Sequence, residues 1–132
     1  MKEKTNAIKE DIKFSEFLDI LREKAQAIDV SGCDFLAIQF NLIDIEKSDI
    51  DNPDQQRNPG VFYIEVKDHN ITIMPYEYND RNCAMSLKMK NLIKLINGEL
   101  DAVAAFTLGK LKIDGDLGKA LEFAELLKQI KK

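Results

Sequence analysis

Between Cys83 and Lys132 the apolar residues change period several times, and each change is marked by a glycine or by an aspartate placed to cap a helix. That punctuation restricts the fold more than any other feature of the chain. Cys83, Met85 and Leu87 recur at the spacing of a half-buried strand. Leu92, Ile93, Leu95 and Ile96 then follow helical spacing and stop at Asn97-Gly98, a helix C-terminal signal. Asp101 is placed to cap a short helix over 102–108, which Gly109 closes. A strand over 110–113 and a helix over 117–130 capped by Asp116 complete a strand-helix-strand-helix unit.

Upstream, Phe14, Phe17, Leu18, Leu21, Ala25 and Ile28 predict an amphipathic helix over 14–28. Ahead of it Met1–Lys13 has Ile8 and Ile12 as its apolar anchors, which suits either an arm or an extension of the same helix. Alternation predicts strands over 34–43, with Leu36, Ile38, Phe40 and Leu42 on one face, and over 61–67, with Phe62, Ile64 and Val66. Asp68-His69-Asn70 forms a turn into a third strand over 71–78, giving an antiparallel meander. The connection Asp44–Gly60 is longer than hairpin loops usually are.

A chain of 132 residues with 45% hydrophobic and 32% charged residues suits one soluble domain. Net charge is −4, divided as −7 over residues 1–82 and +3 over 83–132. A weakly basic C-terminal half allows transient contact with a membrane surface, although Lys88, Lys90, Lys94, Lys110 and Lys112 also serve simply to solvate exposed faces. Nucleic acid is excluded as a partner, because no basic stripe is interleaved with aromatics. Met1–Lys13 lacks the apolar core of a secretion signal and no later run reaches membrane-spanning length, which predicts a cytoplasmic protein. Gln129-Ile130-Lys131-Lys132 is not a peroxisomal address. The two cysteines, Cys33 and Cys83, form neither a zinc nor a disulfide framework and read as core residues in a reducing setting.

Catalytic groups are sparse. The single histidine, His69, falls in a turn, and Ser15, Ser31, Ser48 and Ser86 lack a nucleophile motif. Asp49, Asp51 and Asp54 lack the glycine and glutamate of a calcium loop. Gly109, Gly115 and Gly118 lack a phosphate-loop context and read as helix punctuation, while Asp114 and Asp116 suit a turn and a cap. These residues predict no enzyme, no metal and no cofactor. The informative excess is apolar: Leu117, Ala120, Leu121, Phe123, Ala124, Leu126, Leu127 and Ile130 cover an arc of roughly 220°, where one packed face needs ~100°. Such a helix is either fully enclosed in core or has a second side facing a ligand cavity or a partner.

The runs Cys83-Ala84-Met85-Ser86-Leu87, Asn97-Gly98-Glu99-Leu100, Ala104-Ala105-Phe106 and Gly109-Lys110-Leu111-Lys112-Ile113-Asp114-Gly115-Asp116-Leu117-Gly118 resemble the second half of the sterol carrier protein type 2 domain. Ile38–Leu42 and Gly60–Asp68 resemble that family's first hairpin, so the likeness extends over about residues 14–130. Ala102 stands where the family often has proline, and the Asp44–Gly60 loop is longer than expected. The resemblance implies an α+β fold, a five-stranded, mainly antiparallel sheet covered by helices, with an apolar tunnel for fatty acyl chains, sterols or phospholipids. The lining it implies comes from Phe40 and Phe62 on the first strands, Met85 and Leu87 on the fourth, and Leu92, Ile96 and Leu100 after it. Phe106 and, on the last helix, Leu121, Phe123, Ala124 and Leu127 complete that lining, though each also suits a core position. Two rival readings use the same helix: a homodimer or protein interface centred on Leu126 and Ile130, and an accessory domain that presents a hydrophobic substrate to an enzyme.

Overall fold

Helix α1 (Phe14–Ala25) buries Phe14, Phe17, Leu18, Leu21 and Ala25, the stripe its spacing predicts. The computed structural model describes residues 8–9, 12–46 and 58–130. After α1 come β1 (Phe35–Leu42), β2 (Val61–Lys67), β3 (Asn70–Met74), β4 (Cys83–Leu87), α2 (Met89–Ile96), α3 (Ala102–Thr107), β5 (Leu111–Gly115) and α4 (Leu117–Leu127). The C-terminal unit is therefore strand-helix-helix-strand-helix, with α2 starting three residues earlier than its apolar run. Lys13 is extended, with φ −74° and ψ 153°, so α1 does not continue upstream. Instead Ile8 is buried, its N–H donating to Asn97 Oδ1 at 2.9 Å and its carbonyl accepting from Asn97 Nδ2 at 3.0 Å.

The strand order is β3-β2-β1-β4-β5. β1 runs antiparallel to β2 but parallel to β4, while β2–β3 and β4–β5 are antiparallel. The sheet is thus mixed, with one parallel pair at its centre. On the inner face Phe62 is the hub: its ring stacks on Phe40 at 4.8 Å and meets Phe14 and Phe17 at 6.1 Å each. Phe123 of α4 packs against Phe40 at 5.4 Å, so α1 and α4 cover the same face.

β3 stops four residues short of the expected Tyr78 because Pro75 has no N–H for the ladder. Tyr76 N–H donates back to the Met74 carbonyl at 2.9 Å and turns the chain. The segment 75–82 then crosses the outer face, where Gln39 Oε1 accepts from Tyr78 N–H at 3.0 Å and Asn82 exchanges two hydrogen bonds with the Ala37 backbone. Ala37 and Gln39 are buried on this outer face as well, which is why β1 reads as a nearly continuous buried strand.

Both short C-terminal helices end as their glycines predict. Glu99 N–H donates to Lys94 O at 2.8 Å after α2, and Lys110 N–H to Ala105 O at 2.9 Å after α3, the six-residue closure of a Schellman motif. Asp101 accepts from Ala104 N–H at 3.0 Å and Asp116 from Lys119 N–H at 3.1 Å. α1 and α4 run shorter than their apolar stripes; Ile28 and Ile130 follow in single tight turns whose N–H groups donate three residues back.

Lys67 faces Asn70 across a two-residue hairpin loop whose central residues, Asp68 and His69, both have positive φ, 52° and 66°. This type I′ geometry favours Asn-Gly. Replacing Asp68 and His69 with Asn and Gly is expected to raise stability by ~1 kcal/mol. A urea midpoint that fails to rise would refute that assignment of the turn.

Candidate functional site

The wide apolar arc of α4 divides into two stripes. Ala120, Phe123 and Leu127 are buried against the sheet. Leu117, Leu121 and Ala124, at i, i+4 and i+7, form a second stripe that lines a cavity of about 270 Å³. Its opposite wall is Val103 and Phe106 of α3, and Leu111 and Ile113 of β5 close a third side. Met85 reaches it from β4, where it is the ladder partner of Ile113. Every lining residue is apolar. Val103, Phe106, Leu117 and Leu121 are 46–57% exposed, a collar of half-uncovered hydrophobic side chains around an apolar space.

A second cavity of about 380 Å³ lies along the other half of α4, between it and the end of α2. Leu95, Ile96, Leu100, Leu127 and Ile130 give it apolar walls, and Glu99, Asp101, Glu125 and Lys128 stand among its lining residues. Lys128 pairs with Glu125 at 3.0 Å; that hydrogen bond, with Asp101 adding attraction, holds the ammonium above its ordinary pKa. Ala102, Val103, Leu121 and Ala124 line both cavities. Between α1 and α4 a crevice of about 20 Å³, bordered by Leu21, Ile73, Phe123 and Leu126, has room for little more than a water.

The expected lining residues separate accordingly. Met85, Phe106, Leu121 and Ala124 meet at the first cavity; Ile96, Leu100 and Leu127 join the latter two at the second. Phe123 borders the crevice. Phe40, Phe62, Leu87 and Leu92 are at most 2% exposed and border neither cavity; they pack within the hydrophobic core. Alternation identifies the inward face of a strand but not whether a helix is seated on it. Ala102, Val103, Leu111, Ile113, Leu117 and Ala120 also line the first cavity; of these, only Leu117 and Ala120 belong to the wide apolar arc that the spacing singles out. Spacing carried a signal for them in Val103 and Phe106, one turn apart on a helix too short to bury both.

Other candidates fall elsewhere. Leu126 and Ile130, expected on a partner-facing surface, border the crevice against α1, and Ile130 is buried. His69 is exposed in its hairpin. Gly109 ends α3, but Gly115 lies at the end of β5 and Gly118 inside α4, so punctuation of helices does not explain all three. Asp49, Asp51 and Asp54 lie outside the described residues, as does most of the Asp44–Gly60 loop. Among the described residues no three His, Cys, Asp or Glu side chains gather as a metal site. Burial pushes both free thiols up to about 11, Cys33 with help from Glu122 and Cys83 from Asp116. Tyr78 is pushed up to about 12 by its hydrogen bond to Glu65. Neither the two thiols nor the Tyr78 phenol borders the two cavities or the crevice. Among the described residues no helix is long and apolar enough to cross a membrane.

Residues 36–128 match the SCP-2 sterol transfer family, well over half of the chain. The chain belongs to that family. Sterol carrier protein 2 of Bos taurus is 29% identical over 67 residues, which are 51% of this chain and 12% of the bovine protein. The palmitated SCP2L2 of Aedes aegypti has a TM-score of 0.59 at 14% identity, over 92% of this chain and 99% of that one. The sec-alkylsulfatase Pisa1 of Pseudomonas sp. has a TM-score of 0.62 at 18% identity, over 83% of this chain and 15% of the sulfatase. At these identities the likeness is one of fold. A similar fold thus makes up nearly the whole of the Aedes aegypti chain and a small share of the sulfatase.

Proposed function

We propose that this SCP-2 family member binds a hydrophobic ligand, such as a fatty acyl chain, sterol-like lipid or phospholipid, reversibly and without covalent chemistry, in the cavity between α3, β5 and α4. The observation that carries this reading is the wholly apolar cavity with its collar of half-exposed Val103, Phe106, Leu117 and Leu121. Water against those side chains is unfavourable, and a ligand removes it at ~25 cal/mol per Å² of apolar surface covered. A long acyl chain, at ~0.8 kcal/mol per buried methylene, offers about 10 kcal/mol gross and a micromolar complex after association costs. Leu108, 66% exposed just after α3, extends the collar outward to where a bilayer would deliver the ligand. The buried free thiols suit a carrier working in the reducing cytoplasm.

Solvent extraction of the purified protein followed by mass spectrometry is expected to recover a lipid, and a fluorescent fatty acid is expected to bind. Leu121→Asp places a carboxylate on the cavity wall at a half-exposed position that the fold tolerates. It should weaken fatty-acid binding by at least ~30-fold. Unchanged affinity in this variant, or a wild type that binds no lipid, would overturn the proposal. A second reading, presentation of a hydrophobic substrate to an enzyme, is supported by the small share of the sulfatase and bovine chains that the unit matches. Vesicle-to-vesicle transfer separates the two: a carrier equilibrates a labelled lipid between vesicles, whereas a presenting domain retains it.

A further inference from the structure

Building on the lipid-binding reading, we propose that the two cavities are lobes of one site, and that the partition between them admits a flexible unbranched chain while rejecting a rigid fused-ring ligand. Ala102 and Val103 on α3 and Leu121 and Ala124 on α4 are the side chains common to both cavities. Two of these four are single methyl groups. None of the four is buried, so none is locked in place by the core. The boundary between the lobes is therefore made of part-exposed side chains, and small rotamer changes in Val103 and Leu121 would widen it.

Size and polarity both favour a ligand that occupies the two lobes together. At about 270 Å³ the first lobe alone falls below the ~300–1,000 Å³ range of small-molecule sites and the second, at about 380 Å³, lies near its lower end, whereas the pair falls well within it. The first lobe has no polar lining and is floored by the buried Met85 and Leu111, which suits the apolar tip of a ligand. The second includes Glu99, Asp101, Glu125 and Lys128, charged groups that keep a polar head in water. A linear amphiphile matches this gradient when its head lies between the ends of α2 and α4 and its tail passes the partition towards Phe106 and Leu117. A chain of freely rotating methylenes can bend through such a waist, and a planar ring nucleus cannot.

Calorimetric titration with octanoic acid, tetradecanoic acid and cholesterol tests this against two variants, Ala124→Leu and Ala102→Leu, that thicken the partition from opposite helices. Both sites are part-exposed, so the added bulk does not overpack the core, and a thermal melt confirms the fold. In the wild type, affinity should climb from the eight-carbon to the fourteen-carbon acid, by up to about fourfold per added methylene. Each variant should weaken tetradecanoic acid by at least ~30-fold and octanoic acid by at least ~5-fold less than that, because a short tail stays in the second lobe and meets the added bulk only at one wall. Cholesterol should bind the wild type far more weakly than tetradecanoic acid. Equal losses for both acids, no loss for either, or cholesterol binding as tightly as the long acid would overturn the two-lobed site while leaving lipid binding intact. A wild type that binds none of the three overturns the lipid reading itself, and this one with it.

Discussion

Phe62→Ala is expected to destabilise the protein by about 3–5 kcal/mol, a large part of the ~5–15 kcal/mol that holds a domain folded. Its ring is fully buried and touches three others, Phe14 and Phe17 from α1 and Phe40 from the neighbouring strand. Truncation leaves a cavity bounded by β1, β2 and α1, and the two strands cannot collapse into it without breaking the ladder between them. Urea unfolding measures the loss; a change below ~1 kcal/mol would show that the cluster relaxes freely. Because Phe62 borders neither cavity, the folded fraction of the variant should bind fatty acid with wild-type affinity. A variant that stays folded but loses binding would mean that the ligand reaches the sheet's central core.

Gly115→Ala should have a comparable cost for a different reason. Gly115 has φ +120°, a conformation that L side chains rarely adopt. A Cβ there would lie 2.7 Å from the Asn82 carbonyl oxygen and 2.8 Å from Cys83 Cα, both backbone atoms with no freedom to rotate away. Gly115 pairs with Cys83 at the end of the β4–β5 ladder, so the strands must part to make room. The expected loss is about 2–4 kcal/mol. Here binding should fall as well, since β5 carries Leu111 and Ile113 into the cavity wall. Gly32→Ala is the control: nothing lies within 4 Å of its added Cβ, and stability should change by less than ~0.5 kcal/mol. Equal effects at the two glycines would remove the argument from close approach.

The contrast between these two variants shows where sequence reasoning reached and where it stopped. Asp101 and Asp116 announced their helices because a capping carboxylate acts within three residues, and α1 announced its buried stripe because period alone sets it. The end of β3 was misplaced because Tyr76 and Tyr78 continue an apolar alternation that Pro75 interrupts. The burial of Gln39 was invisible, since it depends on the crossover 75–82 returning over β1 from elsewhere in the chain. Phe40 and Phe62 had the same inward pattern as Met85, yet α1 and α4 are seated over the first two while the third faces a gap. Which inward residues meet a helix and which meet a void is decided by where α3 and α4 come to rest. The over-wide arc of α4 did record that its two sides face different surroundings, one packed on the sheet and one left open beside α3.

Asn97 adds a coupling that its place at the end of α2 conceals. Its amide is buried, and both polar atoms are engaged by the backbone of one residue, Ile8, 89 residues away, whose N–H donates and whose carbonyl accepts. Removing that backbone leaves a buried amide without these partners, which costs ~1–3 kcal/mol. The residues on either side of it, Ile96 and Gly98, line the second cavity. Whatever pulls Ile8 away, whether thermal motion, proteolysis or a competing partner, therefore loosens the wall of that cavity, and by the reciprocity of linked equilibria an occupant that braced this wall would hold Ile8 in place.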